Sequence, residues 1–308
     1  YKKYDAKLPK NYRVIFVEEH ISKLFQRLLV QHLDDHFETF APEYSNGFRP
    51  QRGCTDALFI LKQVLRKRKE HGQHTWLLFL DIIKAFDVVP RDLLWWSLSV
   101  CGVPPKLIRV LQALYTNRTG ELTIDGASST IKVDGGTCQG AILAPRLFSY
   151  YIYVILEMWT ATNTTCLTEI TSGKHEEPSL PPSRSYPSGN YGDLTDTKRS
   201  IFLSLFNVAD DTAAIFKSRH DLQLHGRRLI TILQDFGLRT HLSTDATVAA
   251  GEQAKTAILH IRPQGPSRSD PATLSPVFIT PTEYITVVGS YVYVGALITT
   301  PSTTSTKS

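Results

Sequence analysis

Residues 207–215 read NVADDTAAI, which places two adjacent aspartates, Asp210 and Asp211, between apolar residues. The apolar segment IFLSLF (201–206) precedes them and Phe216 follows, so the pattern predicts a pair of buried strands joined at the aspartates. Ionised carboxylates are costly to bury unless they are paired or bind a metal ion. Two explanations are therefore open: the acids bond to backbone N–H groups at a turn, or they belong to a metal site.

A further acid follows an apolar segment far upstream. In FLDIIKAFD (79–87), Asp81 ends the predicted strand TWLLFLD (75–81). Two strands that each bring an acid to the same end of a sheet can together hold Mg²⁺, which prefers oxygen ligands. Two such ions, roughly 3.5–4 Å apart, can bind the attacking and leaving oxygens of a phosphoryl transfer. Close carboxylates repel and raise one another's pKa, so this arrangement requires a cation or a proton.

The composition is ordinary for a globular protein of 308 residues, with 42% hydrophobic and 20% charged residues. The net charge of +5 is compatible with a polyanionic partner but does not require one. Cys54, Cys101, Cys138 and Cys166 lie far apart, so we expect neither a zinc site nor a disulfide framework. A reducing intracellular location, in cytoplasm and nucleus, is therefore expected. The longest apolar segment, residues 147–159, is too short to span a bilayer, and no membrane partner is expected.

Helix and strand patterns are mixed along the chain, which favours an α+β fold around an antiparallel sheet. Helices are predicted at 17–37, 55–72 with Thr55 as its N-cap, 90–101, 104–117, 143–159 and 219–236. Strands are predicted at 75–81, in a hairpin at 121–133, at 201–216, at 255–261 and as a pair within 284–298. Residues 160–200 lack apolar periodicity, which predicts a loop or a disordered insertion.

Several of these segments together resemble reverse transcriptases, particularly those of non-LTR retrotransposons. The order of FLDIIKAFD, GGTCQGAILAPRLFSYYI (135–152) and VADD (208–211) resembles the palm motifs of that family. Two further segments, NYRVI (11–15) and NGFRPQRGCTDAL (46–58), resemble its fingers motifs. FGLRTH (236–241) followed by KTAILHI (255–261) resembles its fourth palm motif, and YVYVGALI (291–298) resembles the strand pair before its thumb. The resemblance covers nearly the whole chain apart from residues 160–200 and the tail.

The resemblance implies an α+β, right-hand polymerase fold with a small antiparallel palm sheet packed on helices. It implies the following division: fingers 1–75, palm 76–159 and 201–298, an insertion at 160–200, and a disordered tail at 299–308. The thumb would be missing or truncated. Because the chain begins with Tyr1, we expect a fragment of a longer polyprotein with additional domains.

Metal and proton-transfer roles follow from the resemblance by position. Asp81 and Asp210 would bind two Mg²⁺ ions, with Mn²⁺ as an alternative, and Asp211 would be a supporting acid and metal ligand near the primer end. Lys255 occupies the position of a lysine suited to protonating the pyrophosphate leaving group. An exposed lysine on a strand, without a catalytic role, explains Lys255 equally well.

Nucleotide contacts are implied in the same way. Phe86 matches the aromatic residue that blocks the 2′-hydroxyl of a nucleotide. Gln139 and Gly140 match a loop that contacts the incoming nucleotide and the templating base pair, where glycine permits close approach of the backbone. Arg49 matches an arginine that reaches the triphosphate, and Arg52 is a weaker alternative.

The activity implied is RNA-directed DNA polymerisation, with an RNA template, a DNA primer and deoxynucleoside triphosphates (dNTPs). Three alternatives stay open. An RNA-dependent RNA polymerase shares the palm chemistry, although Phe86 argues against ribonucleotide use. A catalytically inactive, nucleic-acid-binding relic is consistent with residue types that are uncommon at their family positions: Val208, Cys138, Ala141 and Arg146. The third is a structural protein whose acids lie at turns.

Overall fold

The computed structural model describes residues 15–124, 127–162, 169–171, 200–202, 205–249, 251, 254–262 and 275–300. Most of the motif at 11–15, most of the predicted insertion and the tail from residue 301 lie outside the described residues. None of the helices within the described ranges is long and apolar enough to cross a membrane.

The helices, in chain order, are α1 (His20–Glu38), α2 (Cys54–Glu70), α3 (Arg91–Val100), α4 (Pro105–Tyr115), α5 (Ala144–Ala161), α6 (Arg219–Asp221), α7 (Arg227–Asp235) and α8 (Asp245–Ala249). A π-helical turn, Leu222–Gly226, joins α6 to α7, so the helix predicted at 219–236 is interrupted. Gly226 lies in this turn, where an added Cβ would be 3.3 Å from the Leu78 side chain. The turn therefore allows the helix to pack closely on the strand that contains Leu78.

The strands are β1 (Thr75–Leu80), β2 (Thr119–Ile124), β3 (Ala127–Lys132), β4 (Glu169–Thr171), β5 (Ser200–Phe202), β6 (Leu205–Val208), β7 (Asp211–Phe216), β8 (Ser243–Thr244), β9 (Ala257–Ile261), β10 (Val277–Phe278), β11 (Glu283–Val288), β12 (Ser290–Tyr293) and β13 (Ala296–Thr299). Within the described residues, seven of them form the main sheet, in the order β10-β11-β9-β1-β7-β6 with β8 paired to β11. The hairpin β2–β3 and the pair β12–β13 are separate antiparallel sheets.

The main sheet is packed on both faces. On one face, Trp76, Leu78 and Leu80 of β1 belong to the same buried cluster as α3, α5 and α7. On the other face, Leu77 and Phe79 pack with α2 and with the β12–β13 pair. A strand covered on both faces is apolar throughout rather than alternating, which explains the sequence TWLLFL.

The α+β class and the sheet backed by helices are confirmed, but two local predictions, the direction of one strand pair and the N-cap of α2, were wrong. The β9–β11 pair is parallel, whereas the sequence pattern favours an antiparallel sheet throughout. Within the predicted insertion, β4 pairs with β5; the residues between these two strands lie outside the described residues, so the loop or disordered insertion stays a prediction. Helix α2 begins at Cys54, so Thr55 lies inside its first turn; the Gly53 N–H donates to the Asp56 side chain at 2.8 Å instead.

Helix α1 has one buried apolar face and a second apolar face that is exposed. Leu29, Leu33 and Phe37 are in the main core. The exposed large apolar residues on and just before the helix are Val17, Ile21, Leu24, Phe25 and Leu28. Contiguous apolar surface of this kind is unusual on an isolated globular domain.

Candidate active site

The structure brings three aspartates together at one end of the main sheet. Asp81 directly follows β1, Asp211 is the first residue of β7, and Asp210 lies in the turn between β6 and β7. Leu80 pairs with Thr212 in the antiparallel register of β1 and β7, so the next residues of the two strands, Asp81 and Asp211, face each other across the strand pair.

The turn before Asp211 contains two residues, Ala209 and Asp210, and is closed by the pairing of Val208 with Asp211. Ala209 has a φ of +59°, a conformation that residues other than glycine rarely adopt. The buried Asn207 side chain stabilises the turn by donating to the Ala209 carbonyl at 3.0 Å and to Thr212 Oγ1 at 2.9 Å. Asp210 is thereby held in the turn itself, outside the strand alternation that Asp211 follows.

The electrostatics of the cluster reflect crowded negative charge. Burial, followed by the neighbouring carboxylates of Asp210 and Asp81, raises the pKa of Asp211 to about 6, while Lys255 opposes this rise. The Lys255 Nζ lies 3.6 Å from Asp81 Oδ1 and supplies a counter-charge. Tyr291 has its pKa raised to about 12, first by burial and then by Asp81 and Asp211.

Backbone contacts fix the position of Asp81 and Lys255. The Asp81 N–H donates to Thr256 Oγ1 at 3.2 Å, and the Asp81 carbonyl accepts from the His241 N–H at 2.9 Å. The Lys255 N–H donates to His241 Nδ1 at 3.1 Å. The two segments predicted as the fourth palm motif therefore meet beside Asp81, which explains why Lys255 reaches this carboxylate.

The three carboxylates of this cluster are suitable ligands for a hard cation, although their oxygens do not converge on a single point. Carboxylate oxygens are the ligands that Mg²⁺ prefers. Across the described ranges, no three His, Cys, Asp or Glu side chains are already arranged as a metal site. The charges of Asp210 and Asp81 nevertheless add to the effect of burial in raising the pKa of Asp211, and a cation relieves such repulsion.

The residues predicted to contact the nucleotide lie in two packed segments. The Phe86 ring is partly buried, with its centroid 4.6 Å from that of Phe148. The Phe86 carbonyl accepts from the Thr137 N–H at 2.8 Å, which ties Phe86 to the loop that contains Gln139. The Gln139 carbonyl accepts from the Phe16 N–H at 2.8 Å. Gly140 has a φ of +101°, and an added Cβ would lie 2.7 Å from the Phe16 carbonyl oxygen.

Gly140 is thus needed for the close approach of the Phe16 backbone, a contact within the protein that the sequence did not indicate.

Arg49 is also engaged within the protein. Its Nε and Nη2 donate to Glu38, and its Nη1 donates to the carbonyls of Pro42 and Ser45. The Arg49 side chain is only 6% exposed, so the structure does not present it to a ligand, and its role at the triphosphate stays a prediction.

Arg52 is more accessible than Arg49. Its Nη2 lies 2.6 Å from Glu43 Oε2, and Glu43 is 83% exposed at its side chain. Pairs of this kind exchange readily with solvent and ions because they are weak. Of the two arginines, Arg52 is the more exposed, at 26% of its side chain, and its guanidinium donates to the carboxylate and the carbonyl of Glu43.

Sequence reasoning missed two groups of residues beside the aspartates. Tyr291 of β12 stacks on Phe79 with centroids 4.3 Å apart, and Tyr293 packs on it at a tilt with centroids 5.3 Å apart; the Tyr293 hydroxyl donates to the Phe206 carbonyl at 3.1 Å. Their spacing of two in YVYV is the signal that could have indicated a shared face. The second group is the loop at 44–47.

The loop at residues 44–47 runs alongside β6 and reaches the aspartate turn. The Asn46 N–H donates to the Asn207 carbonyl at 2.8 Å, and the Asn207 N–H donates to the Tyr44 carbonyl at 2.9 Å. A Cβ added at Gly47 would lie 2.3 Å from the Ala209 nitrogen. The loop therefore forms one wall of the aspartate turn, and only glycine fits at its point of closest contact.

Comparisons with known proteins agree with this geometry. The family described as "Reverse transcriptase (RNA-dependent DNA polymerase)" matches residues 1–244. The chain is 27% identical over 145 residues to the RNA-directed DNA polymerase from mobile element jockey of Drosophila funebris, covering 46% of this chain and 16% of that protein. It is 30% identical over 145 residues to the retrovirus-related Pol polyprotein from type-2 retrotransposable element R2DM of Drosophila melanogaster, and this match covers 47% of this chain and 14% of that protein. The matched segment is thus a small part of these longer relatives.

Solved structures show the same fold. The structure of apo telomerase from Candida tropicalis, truncated from its C-terminal domain, superimposes with a TM-score of 0.52 at 11% identity, covering 90% of this chain and 45% of that one. Telomerase from the same organism, in complex with a fragment of telomeric RNA, superimposes with a TM-score of 0.51 at 12% identity, covering 93% of this chain and 38% of that one. At such low identity the likeness concerns the fold alone. The resemblance seen in the sequence is therefore confirmed, and the chain belongs to the reverse transcriptase family, alongside the enzymes of non-LTR retrotransposons.

Proposed function

We propose that this chain catalyses RNA-directed DNA polymerisation, in which the 3′-hydroxyl of a DNA primer attacks a dNTP paired to an RNA template. The observation that carries the proposal is the meeting of Asp81, Asp210 and Asp211 beside Lys255, from segments far apart in the sequence. Family membership supports the same activity.

Asp81, Asp210 and Asp211 are the residues that would hold two Mg²⁺ ions, or Mn²⁺ in their place. Bound at these acids, such ions would make the primer hydroxyl a better nucleophile and would neutralise the triphosphate. The support within this chain is the donor chemistry and the raised pKa of Asp211, to which burial contributes most and the charges of Asp210 and Asp81 contribute next.

The other residues act on the nucleotide in this proposal. Lys255 would donate a proton to the leaving pyrophosphate, and its exposed ammonium beside Asp81 is consistent with that task. Phe86 would exclude the 2′-hydroxyl, while Gln139 and Gly140 would border the incoming nucleotide. Arg49 would bind the triphosphate only by exchanging the Glu38 carboxylate for phosphate oxygens, which carry the same sign of charge.

The partners proposed are an RNA template, a DNA primer and dNTPs. Binding to the nucleic acid would depend mainly on phosphate contacts and would therefore weaken with salt. The match to a small part of the curated relatives supports the proposal that this segment works within a longer polypeptide. Location in cytoplasm and nucleus stays a prediction from cysteine use.

Primer extension on an RNA template, with and without Mg²⁺, tests the proposal. Asp81→Asn and Asp210→Asn should each lower extension by about 10²–10³-fold, because charge stabilisation at a metal contributes several kcal/mol. Asp235→Asn, at an exposed position at the end of α7, is the matched control and should extend at the rate of the unaltered chain. Equal extension by all the variants would rule out the carboxylate assignment.

The same assay separates the alternative functions. Preferential incorporation of ribonucleotides would identify an RNA-dependent RNA polymerase. Salt-dependent binding of the primer–template without extension would identify a catalytically inactive, nucleic-acid-binding relic. Absence of both binding and extension would leave a structural protein.

A further inference from the structure

Phe48 is an exposed aromatic residue held beside Phe86. It lies in the loop between α1 and α2, and its side chain is 46% exposed. The Phe48 ring meets the Phe86 ring edge-on, with centroids 6.5 Å apart and planes at 80°. Phe148 packs against Phe86 as well, with centroids 4.6 Å apart. The Phe86 ring therefore has an aromatic neighbour from the core helix α5 and another from this loop.

The backbone at Phe48 is fixed in an unfavourable conformation. Its φ is +56°, which costs about 1 kcal/mol or more for a residue other than glycine. Such a conformation persists only where the surroundings impose it. An exposed aromatic side chain in this conformation is not explained by burial of its own surface.

A buried arginine imposes the conformation. The Arg146 Nη2 donates to the Phe48 carbonyl at 2.7 Å. Arg146 itself is buried, pairs with Asp34, and lies over the Phe37 ring at 4.8 Å from its centroid. These contacts give Arg146 a structural role.

Contacts on both sides of Phe48 complete the anchoring. Gly47 lies against the backbone of Ala209 in the aspartate turn. Arg49 is tied to Glu38 and to the carbonyls of Pro42 and Ser45. The loop thus links the position of Phe48 directly to the turn that carries Asp210.

We propose that Phe48 is a positioning residue for sugar selection: its ring limits the movement of the Phe86 ring and so sharpens the preference for dNTPs over ribonucleotides. Arg146 fixes the backbone from which Phe48 acts. The inference rests on the proposed function, in which Phe86 excludes the 2′-hydroxyl. A purely structural Phe48 would instead affect both kinds of nucleotide equally.

Single-nucleotide primer extension with matched dNTP and ribonucleotide tests this inference through the ratio of their kcat/KM values. In Phe48→Ala the ratio should fall by about three- to tenfold, mainly through a lower KM for the ribonucleotide, since an aromatic pair contributes roughly this much. Phe48→Tyr keeps the ring and should keep the ratio. Phe59→Ala, which removes a more exposed ring on α2, is the matched control and should change nothing. An equal loss for both nucleotides in Phe48→Ala would overturn the inference.

A double-variant cycle tests whether Phe48 acts through Phe86. Once Phe86→Ala has removed the blocking ring, adding Phe48→Ala should not change the dNTP preference further, because coupled residues are not additive. Independent, multiplicative effects of the two substitutions would show that Phe48 does not act through Phe86 and would overturn the proposal.

A measurement without turnover separates this inference from the proposed function. With para-fluorophenylalanine at position 86 of the full chain, the fluorine NMR signal should shift or broaden when Phe48→Ala is introduced, and should not respond to Phe59→Ala. A signal that ignores Phe48→Ala would overturn the positioning role. Failure of primer extension by the unaltered chain would instead contradict the proposed function, while the fluorine signal would still report on the Phe48–Phe86 contact.

Discussion

Gly47 is the residue at which the loop before α2 comes closest to the aspartate turn. A Cβ at this position would lie 2.3 Å from the Ala209 nitrogen and 3.1 Å from its Cα, both backbone atoms that cannot move independently of the turn. The Asp210 carboxylate depends on the same turn for its position. Residue size at position 47 therefore affects both stability and the arrangement of the aspartates.

Gly47→Ala is expected to lower the free energy of unfolding by about 1–3 kcal/mol, the usual cost of overpacking, and to reduce primer extension. Gly289→Ala is the matched control, because the nearest atom to its added Cβ is 4.0 Å away. Urea unfolding of both variants checks the prediction. Identical unfolding midpoints for the two variants would contradict the close contact described for Gly47.

His260 is a second residue with a consequence that can be measured. It is 6% exposed, stacks on Trp76 with centroids 3.9 Å apart, and its Nε2 lies 3.1 Å from His74 Nδ1. Burial lowers the pKa of His260 to about 4, and the positive charges of His74, Arg262 and Arg219 act in the same direction. The folded protein thus favours the neutral imidazole.

Because the pKa of His260 is lower in the folded chain than in the unfolded chain, the unfolded chain binds more protons between about pH 4 and pH 6.5. Stability from this group is therefore complete above about pH 6.5 and is lost as the pH falls toward 4. At about pH 5 the loss should be about 1–2 kcal/mol, measured by urea unfolding. His260→Phe should remove this part of the pH dependence, whereas the exposed control His220→Gln should retain it.

At the scale of elements, the start of α2 depends on the side chain of Asp56, three residues after the N-cap residue Gly53. The Gly53 N–H donates to Asp56 Oδ2 at 2.8 Å, and Asp56 also lies in the first turn, where a negative charge interacts favourably with the helix dipole. Thr55 lies in the same turn and has an exposed position. The two residues therefore provide a test of which one stabilises the helix start.

Asp56→Ala should lower the free energy of unfolding by about 1 kcal/mol, as expected for loss of a capping interaction. Thr55→Ala should change it by less than about 0.5 kcal/mol, as for an ordinary surface substitution. Thermal unfolding followed by circular dichroism checks both. A larger loss from Thr55→Ala than from Asp56→Ala would restore Thr55 as the N-cap.

Elements with a strong local signal were predictable, and those that depend on distant pairing were not. TWLLFL is apolar throughout because β1 is covered on both faces, and the hairpin β2–β3 is antiparallel as its sequence indicates. The parallel direction of β11 beside β9 could not be predicted, because the apolar pattern of a strand does not encode the direction of its partner. The same holds for β4, which is three residues long and is defined by its partner.

The site shows the same division. Asp81, Asp210 and Asp211 could be placed together because Asp81 and Asp211 lie at strand ends, where the sheet register decides the neighbours, and Asp210 lies in the turn that joins β6 to β7. The engagement of Arg49 by Glu38 could not be predicted, since it depends on how an irregular loop folds back on α1. Tyr291 was missed because its electrostatic interaction with Asp81 and Asp211 arises from a separate sheet packed on the other face.

At the scale of the whole molecule, the clustered aspartates are a source of instability that a cation can relieve. Mg²⁺ that binds only the folded chain should raise its melting temperature by about 2–4 °C at ten times the dissociation constant. Chelation with EDTA should reverse the shift, and sodium chloride of equal ionic strength should not reproduce it. Asp81→Asn and Asp210→Asn should lose the response, whereas Asp235→Asn should keep it. A shift of the same size in all of these variants would place the binding elsewhere.

The loop that lies along β6 has a further consequence for the integrity of the sheet. Tyr44 and Asn46 form hydrogen bonds with the N–H and carbonyl groups of Asn207 that would otherwise be unpaired at the outer edge of β6, the edge strand of the main sheet. An outermost strand with free N–H and carbonyl groups is a template for strands of other molecules. A shortened chain that begins at Cys54 would uncover this template, and we expect it to self-associate into β-rich oligomers while the longer chain does not. The loop at residues 44–47 thus also protects the edge strand β6 from pairing with strands of other copies of the protein.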